Sequence, residues 1–132
     1  MPLAHHDLCF GCGLANLFGL QLELEHDGEG RVAGRFFVKQ DHQGPPGFAH
    51  GVVIATALDE AMALLVHAEG IHALTRRLEV ELLGPVPVGS FATVGAWIEL
   101  REERRLELRA ELSAAADERI LARAGGTFAV VK

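Results

Sequence analysis

Residues 51–68 read GVVIATALDEAMALLVHA, and this segment constrains the fold more than any other. All of it suits a helix from Gly51 to about Ala68, and apolar side chains fall on nearly every side of that helix. Such a helix has no face to offer to water and is expected to be buried. Gly70 follows it, where a residue able to adopt a left-handed conformation ends a helix. The loop before it, 39–49, carries Gly44, Pro45, Pro46 and Gly47, which forbid regular structure.

The rest of the chain reads as strands. Leu20, Leu22 and Leu24 alternate with Gln21, Glu23 and Glu25, the pattern of a half-buried strand. DGEG at 27–30 is a turn, and RVAGRFFV at 31–38 is the hairpin partner. After the helix, LEVELL (78–83) places Leu78, Val80 and Leu82 on one face, and GPVPVG (84–89) turns the chain. Val94, Ala96, Ile98 and Leu100 share a face of the next strand; Leu106, Leu108, Ala110 and Leu112 share a face of the one after. LREERRLELRAEL has helical propensity, but unbroken period-two alternation favours a hairpin. The last strand is 119–131, where Gly125-Gly126 marks a bulge or a close backbone approach. The order is β-β-α-β-β-β-β. One helix cannot cover both faces of a flat sheet, so the economical packing is a curved antiparallel sheet wrapped around it, an α+β fold.

A chain of 132 residues, 49% of them hydrophobic, fits a single domain, 1–132, with 1–16 as a leader. A formal charge of −6 argues against a nucleic acid or an anionic membrane as partner. MPLAHHDLCFG lacks the apolar core of a signal peptide. The helix, interrupted by Asp59 and Glu60, is expected to be too short to cross a bilayer. A soluble protein of a reducing cytoplasm is the expectation.

Two acids inside an apolar helix are costly unless paired or used. Asp59 shares a helix face with Ala55, Thr56, Met62 and Ala63, whose small members leave room for a substrate. Glu60 lies about 100° around the axis and is expected to be solvated or paired with Arg76 or Arg77. His50-Gly51 sits where loop becomes helix. The first amides of a helix have no internal partner, and glycine lets a ligand oxygen approach them, the physics of an oxyanion hole. Gly51 also fits a tight corner.

The segment HQGPPGFAHGVVIATALDEAM (42–62) resembles the hotdog-fold acyl-CoA thioesterases of the PaaI type, in the branch carrying HQGPPGFAHGG. CFGCGLANLFGLQLELE resembles the leader of the same group, and LTRRLEVELLGPVPVG its strand after the helix. The resemblance spans essentially the whole chain. It implies thioester hydrolysis by a homo-oligomer, a dimer or dimer of dimers. The helix-borne carboxylate, nine residues after the motif His, maps onto Asp59; the oxyanion donor maps onto Gly51. A Ser or Thr opening the next strand, which positions water or the acid, maps onto Thr75. Val52 replaces the second glycine of the motif. Gly44 stands where several relatives place Asn or Gln, so His42, Gln43 or the His50 ring is left to polarise the substrate. Besides the catalytic set of Asp59, Gly51, His50 and Thr75, the residues expected to meet substrate are Gln43, Gly44, Val52, Thr56, Met62 and Arg76. No cofactor is expected, since coenzyme A belongs to the substrate.

Cys9 and Cys12 with His5 and His6 give HHxxCxxC, acceptable spacing for zinc. No second ligand pair follows, so no metal is expected and the leader is read as packing near the pocket with reduced thiols. The arginines Arg101, Arg104, Arg105 and Arg109 read as a solvated hairpin face, some paired with Glu102, Glu103 or Glu107.

The expected function is therefore acyl-CoA hydrolysis, with Asp59 as general base or nucleophile. A non-catalytic acyl-CoA-binding or sensor module on the same fold is the alternative. A hydratase would need a His/acid arrangement that is not found here. His50 and Asp59, nine residues apart, face nearly opposite sides of the helix and stand roughly 13 Å apart along it. One thioester cannot easily touch both ends of that span. Two antiparallel helices across a two-fold axis would bring one chain's helix start to the other's acid.

Overall fold

The computed structural model describes residues 3–131. Six antiparallel strands surround one long helix: β1 (Glu23–His26), β2 (Arg31–Phe37), α1 (Gly51–Ala68), β3 (Ala73–Leu82), β4 (Phe91–Arg101), β5 (Arg105–Ala114) and β6 (Ile120–Val130). The sheet order is β1-β2-β4-β5-β6-β3, so β1 and β3 are its edges. This is the hotdog fold, with the strand and helix order read from the sequence. The period-two residues of β4 and β5 supply the concave face, where Val94, Ala96, Leu106, Leu108, Ala110 and Leu112 are buried beside Ala57, Leu58, Ala61 and Leu65 of α1.

Gly34 and Gly126 are close-approach positions. A Cβ at Gly34 would stand 1.7 Å from the Glu23 carbonyl oxygen of β1. One at Gly126 would meet the Met62 side chain of α1 at 3.0 Å. Of the two readings of Gly125-Gly126, close approach holds: the irregularities of the neighbouring pairings lie elsewhere, at Thr75/Arg77, Ile98/Leu100 and Leu112/Ser113.

Several boundaries differ from the sequence reading. The first strand spans 23–26 only, because Gln21 takes a positive φ of 52° and Leu22 N–H donates to Gly11 of the leader. Leu20, Leu22 and Leu24 are nevertheless all buried. Strand β3 begins at Ala73 rather than Leu78. Leu78 and Leu82 are exposed, since β3 is an edge strand that α1 covers only in part. Leu100 leaves the face of Val94 and Ala96 after the irregularity beyond Ile98 and is exposed.

The helix also departs from expectation. It is not buried all round: Val52 is exposed and Gly51, Ala55, Thr56, Asp59 and Ala63 are only half-buried, a stripe along one side. At 18 residues it is long and apolar enough to cross a membrane by length and composition, contrary to the sequence reading. Half of it is covered within the fold, and the demands of a core helix account for that composition.

Candidate active site

The loop leading into α1 is braced by its own polar groups. Gln43 Oε1 accepts from Gly47 N–H at 2.5 Å, Gly44 N–H donates to the Phe48 carbonyl at 2.9 Å, and His50 N–H donates to the His42 carbonyl at 2.8 Å. Gly47 supplies a φ of 89° at the turn. His42 is buried, with Nε2 at 3.0 Å from the Phe18 carbonyl, so it ties the loop to the leader. A Cβ at Gly44 would lie 2.9 Å from His50 Cα, so any larger residue there would displace the helix start.

His50 is the N-cap of α1. Its Nδ1 accepts from Val52 N–H at 3.1 Å, a capping role not expected from sequence. With the Val52 amide taken, Gly51 N–H is left as the first amide of the helix, which has no carbonyl to meet inside it. Leu82 of β3 stands beside Gly51. A largely apolar recess of about 360 Å³ opens there, lined by Pro45, Phe48, Gly51, Ile54, Leu82 and Pro85.

Two turns further along α1, the Thr75 hydroxyl donates to Asp59 Oδ1 at 2.8 Å. Thr75 stands at the β3 irregularity. Burial pushes the Asp59 carboxyl above its ordinary value; the Thr75 hydrogen bond opposes this, and the neighbouring Glu60 charge adds to it. Asp59 thus sits half-buried on the open stripe of α1, among Ala55, Thr56 and Ala63. A cavity of about 490 Å³ lies alongside Thr75, bordered by Ala63, Val66, Leu74 and Phe128.

The structure therefore brings Asp59 and Thr75 together, and His50 with the helix-start amides, but keeps these two groups apart within one chain. Gly51 and Asp59 are separated by about 12 Å along the axis. Thr56 lies on the open stripe, its hydroxyl donating to the Val52 carbonyl at 2.8 Å. Met62 does not line this surface: it is fully buried under Gly126. Arg76 is exposed next to Thr75. Arg77 pairs with Glu79 at 2.6 Å, Arg101 with Glu69, Arg105 with Glu102 and Glu107, and Arg109 with Glu99.

Glu60 is not solvated and does not meet Arg76 or Arg77. It faces the leader, with Oε2 at 3.0 Å from His5 Nδ1 and 3.4 Å from Cys9 Sγ. Burial would raise its carboxyl, but the hydrogen bonds from His5 and the two thiols outweigh that and hold it below its ordinary value. Those to Cys12 and Glu60 push His5 up to about 11. The sequence reading grouped His5, Cys9 and Cys12 but missed Glu60, because spacing cannot tell which helix face the leader crosses.

The thioesterase superfamily model matches residues 46–121, more than half of the chain. The chain belongs to the thioesterase superfamily. It is 28% identical over 86 residues to mouse acyl-coenzyme A thioesterase THEM5, a match covering 65% of this chain and 35% of that protein. Rat acyl-coenzyme A thioesterase THEM4 is 36% identical over 64 residues, 48% of this chain and 27% of that protein. The chain thus spans about a third of the length of the curated relatives it matches. Among solved structures, a thioesterase superfamily protein, RHA08564, superposes with a TM-score of 0.86 at 24% identity, covering 93% of this chain and 60% of that one. A hypothetical thioesterase from Streptococcus pneumoniae TIGR4, solved with coenzyme A, superposes at 0.78 with 19% identity, covering 83% and 85%. These structural likenesses bear on the fold.

Proposed function

We propose that this superfamily member hydrolyses acyl-CoA thioesters, as an enzyme of the PaaI type. The observation that carries the reading is Asp59: a half-buried carboxylate on the open stripe of a largely apolar helix, oriented by Thr75. A carboxylate so placed can take a proton from water or attack the thioester carbon itself. In the first course, water adds to the carbonyl as Asp59 accepts its proton. In the second, Asp59 forms an anhydride that water then opens. In both, the CoA thiolate leaves, takes up a proton, and is released with the free acid. Charge develops on the carbonyl oxygen, and a backbone donor at a helix start is the group that stabilises it. Gly51 N–H is that donor here. The His50 ring holds the helix start in place by capping it.

Because these two groups stand apart in one chain, the reading includes a dimer in which the helix start of one chain faces Asp59 of the other. The uncovered stripe of α1, and the exposed Leu74, Leu78 and Leu82 of β3, are the surfaces that such a pairing would bury. Superfamily relatives named as acyl-coenzyme A thioesterases support the choice of substrate class. The experiment is a thiol-release assay over short, long and aromatic acyl-CoAs, with wild type and Asp59→Asn in parallel. Turnover of at least one class by wild type and its near-complete loss in a folded Asp59→Asn support the reading. Binding of acyl-CoA without turnover would instead make the chain a binding module.

A further inference from the structure

The reading above uses Asp59 and leaves its neighbour Glu60 without a part. The Glu60 side chain is only 12% exposed and reaches the leader's polar cluster, where the His67 ring of α1 also packs edge-on against His5 at 5.2 Å. There, four donor atoms converge: His5 Nδ1, Cys9 Sγ, Cys12 Sγ and a carboxylate oxygen of Glu60, all within 4.8 Å of one another. His5 Nδ1 lies 3.8 Å from each sulfur and 3.0 Å from Glu60 Oε2, and Cys9 Sγ lies 3.4 Å from the same oxygen.

Zinc holds sulfur at about 2.3 Å and nitrogen or oxygen at about 2.0–2.2 Å, so the donors of a tetrahedral site stand roughly 3.3–3.8 Å apart. The two His5–sulfur separations and the Cys9–Glu60 separation fall within that range, His5–Glu60 at 3.0 Å is a hydrogen-bond length a little inside it, and the remaining pairs lie within 4.8 Å. We propose that His5, Cys9, Cys12 and Glu60 form a structural zinc site that fastens the leader to the middle of α1. Two thiolates with an imidazole select zinc over magnesium or calcium, which prefer oxygen donors. Four protein donors fill the tetrahedron, the mark of a structural rather than a catalytic centre. On binding, both thiols give up their protons and His5 binds through a neutral nitrogen.

The leader is shaped for this. A Cβ at Gly11 would stand 2.4 Å from Glu60 Cγ, and one at Gly13 would stand 2.3 Å from the Asp7 carbonyl oxygen. Only glycines let the CFGCG turn close over the carboxylate. Backbone amides also face the sulfurs: Cys12 N–H lies 3.5 Å from Cys9 Sγ, and His5 N–H lies 3.3 Å from Cys12 Sγ. Such donors support thiolate ligands from outside the metal's own shell. Backbone bonds hold the leader at a few points, from Leu3 N–H to the Leu24 carbonyl and from Leu20 and Leu22 N–H to the carbonyls of Phe10 and Gly11. Cys12 is buried, but Leu8, Phe10 and Leu14 are exposed, so few of the leader's large side chains add to the core.

The test is metal content, and it does not depend on thioesterase activity. Tag-free protein is isolated under reducing conditions from zinc-supplemented cells and measured by elemental mass spectrometry, with free thiols titrated in parallel. The expected result is about one zinc per chain, absent in Cys9→Ser and Cys12→Ser and more readily lost to a chelator in Glu60→Gln. Should the cysteine variants fail to fold, cobalt exchanged into wild type gives a second readout: the intense visible bands of a tetrahedral ion with thiolate charge transfer. A wild type with both thiols reduced that contains no zinc, and takes up neither zinc nor cobalt at micromolar concentration, would overturn the proposal and leave a hydrogen-bonded thiol–imidazole–carboxylate cluster. Zinc retention unaffected by Glu60→Gln would also contradict it, since the fourth donor would then be wrong.

Discussion

Asp59 and Glu60 are adjacent on α1 and turn to different neighbours, one to Thr75 of β3 and the other to the leader. Asp59→Asn keeps the shape and can still accept from Thr75, so the fold is expected to persist while hydrolysis falls by at least about 100-fold, the lower bound for losing a positioned acid–base group. Thermal melting and thiol release on the same samples check both halves. Thr75→Val removes the hydrogen bond that orients Asp59 and is expected to slow turnover by roughly 10- to 100-fold, with little change in melting temperature because Thr75 is exposed. A Thr75→Val enzyme at wild-type rate would remove Thr75 from the site. The open surface around Asp59 was legible because Ala55, Thr56 and Ala63 stand at helical spacing from it. The partner of Glu60 was not, because it lies about 50 residues away on a segment without periodicity, and nothing local to the helix encodes its path.

At the level of elements, the start of α1 is specified by a capping histidine rather than by the usual Ser, Thr, Asp or Asn. His50→Ala should lower stability by about 1 kcal/mol, the typical worth of a cap, read as a shift in the urea midpoint at unchanged slope. Gly34→Ala should cost more, at the upper end of about 1–3 kcal/mol for forced overpacking, because the new Cβ would meet backbone of β1 that has no flexible tip to move. A Gly34→Ala variant as stable as wild type would mean that β1 is not held where the pairing places it. Alternation gave β2, β4 and β5 nearly in full, because each buries one face against α1. It failed at the two edges. Gln21 leaves the extended region before β1, and β3 carries leucines that this chain alone does not cover. A pattern of apolar residues states that a face is to be covered, but not by which chain.

For the whole molecule, the proposed composite site between two copies would use the uncovered stripe of α1 and the exposed leucines of β3, and would bridge the separation of Gly51 from Asp59. The family resemblance and helix geometry, through the distance between His50 and Asp59, both raised that expectation from sequence; the uncovered side of α1 was not foreseen, since the segment is apolar nearly all round. The most direct measurement is complementation. Asp59→Asn and Gly51→Val chains are unfolded together, reassembled and assayed for thiol release. Random pairing gives half heterodimers, each with one intact site, so a mixture of two inactive variants should regain up to roughly a quarter of wild-type activity. A mixture that stays inactive although heterodimers are shown to form, or a monomer with full activity, would contradict the account.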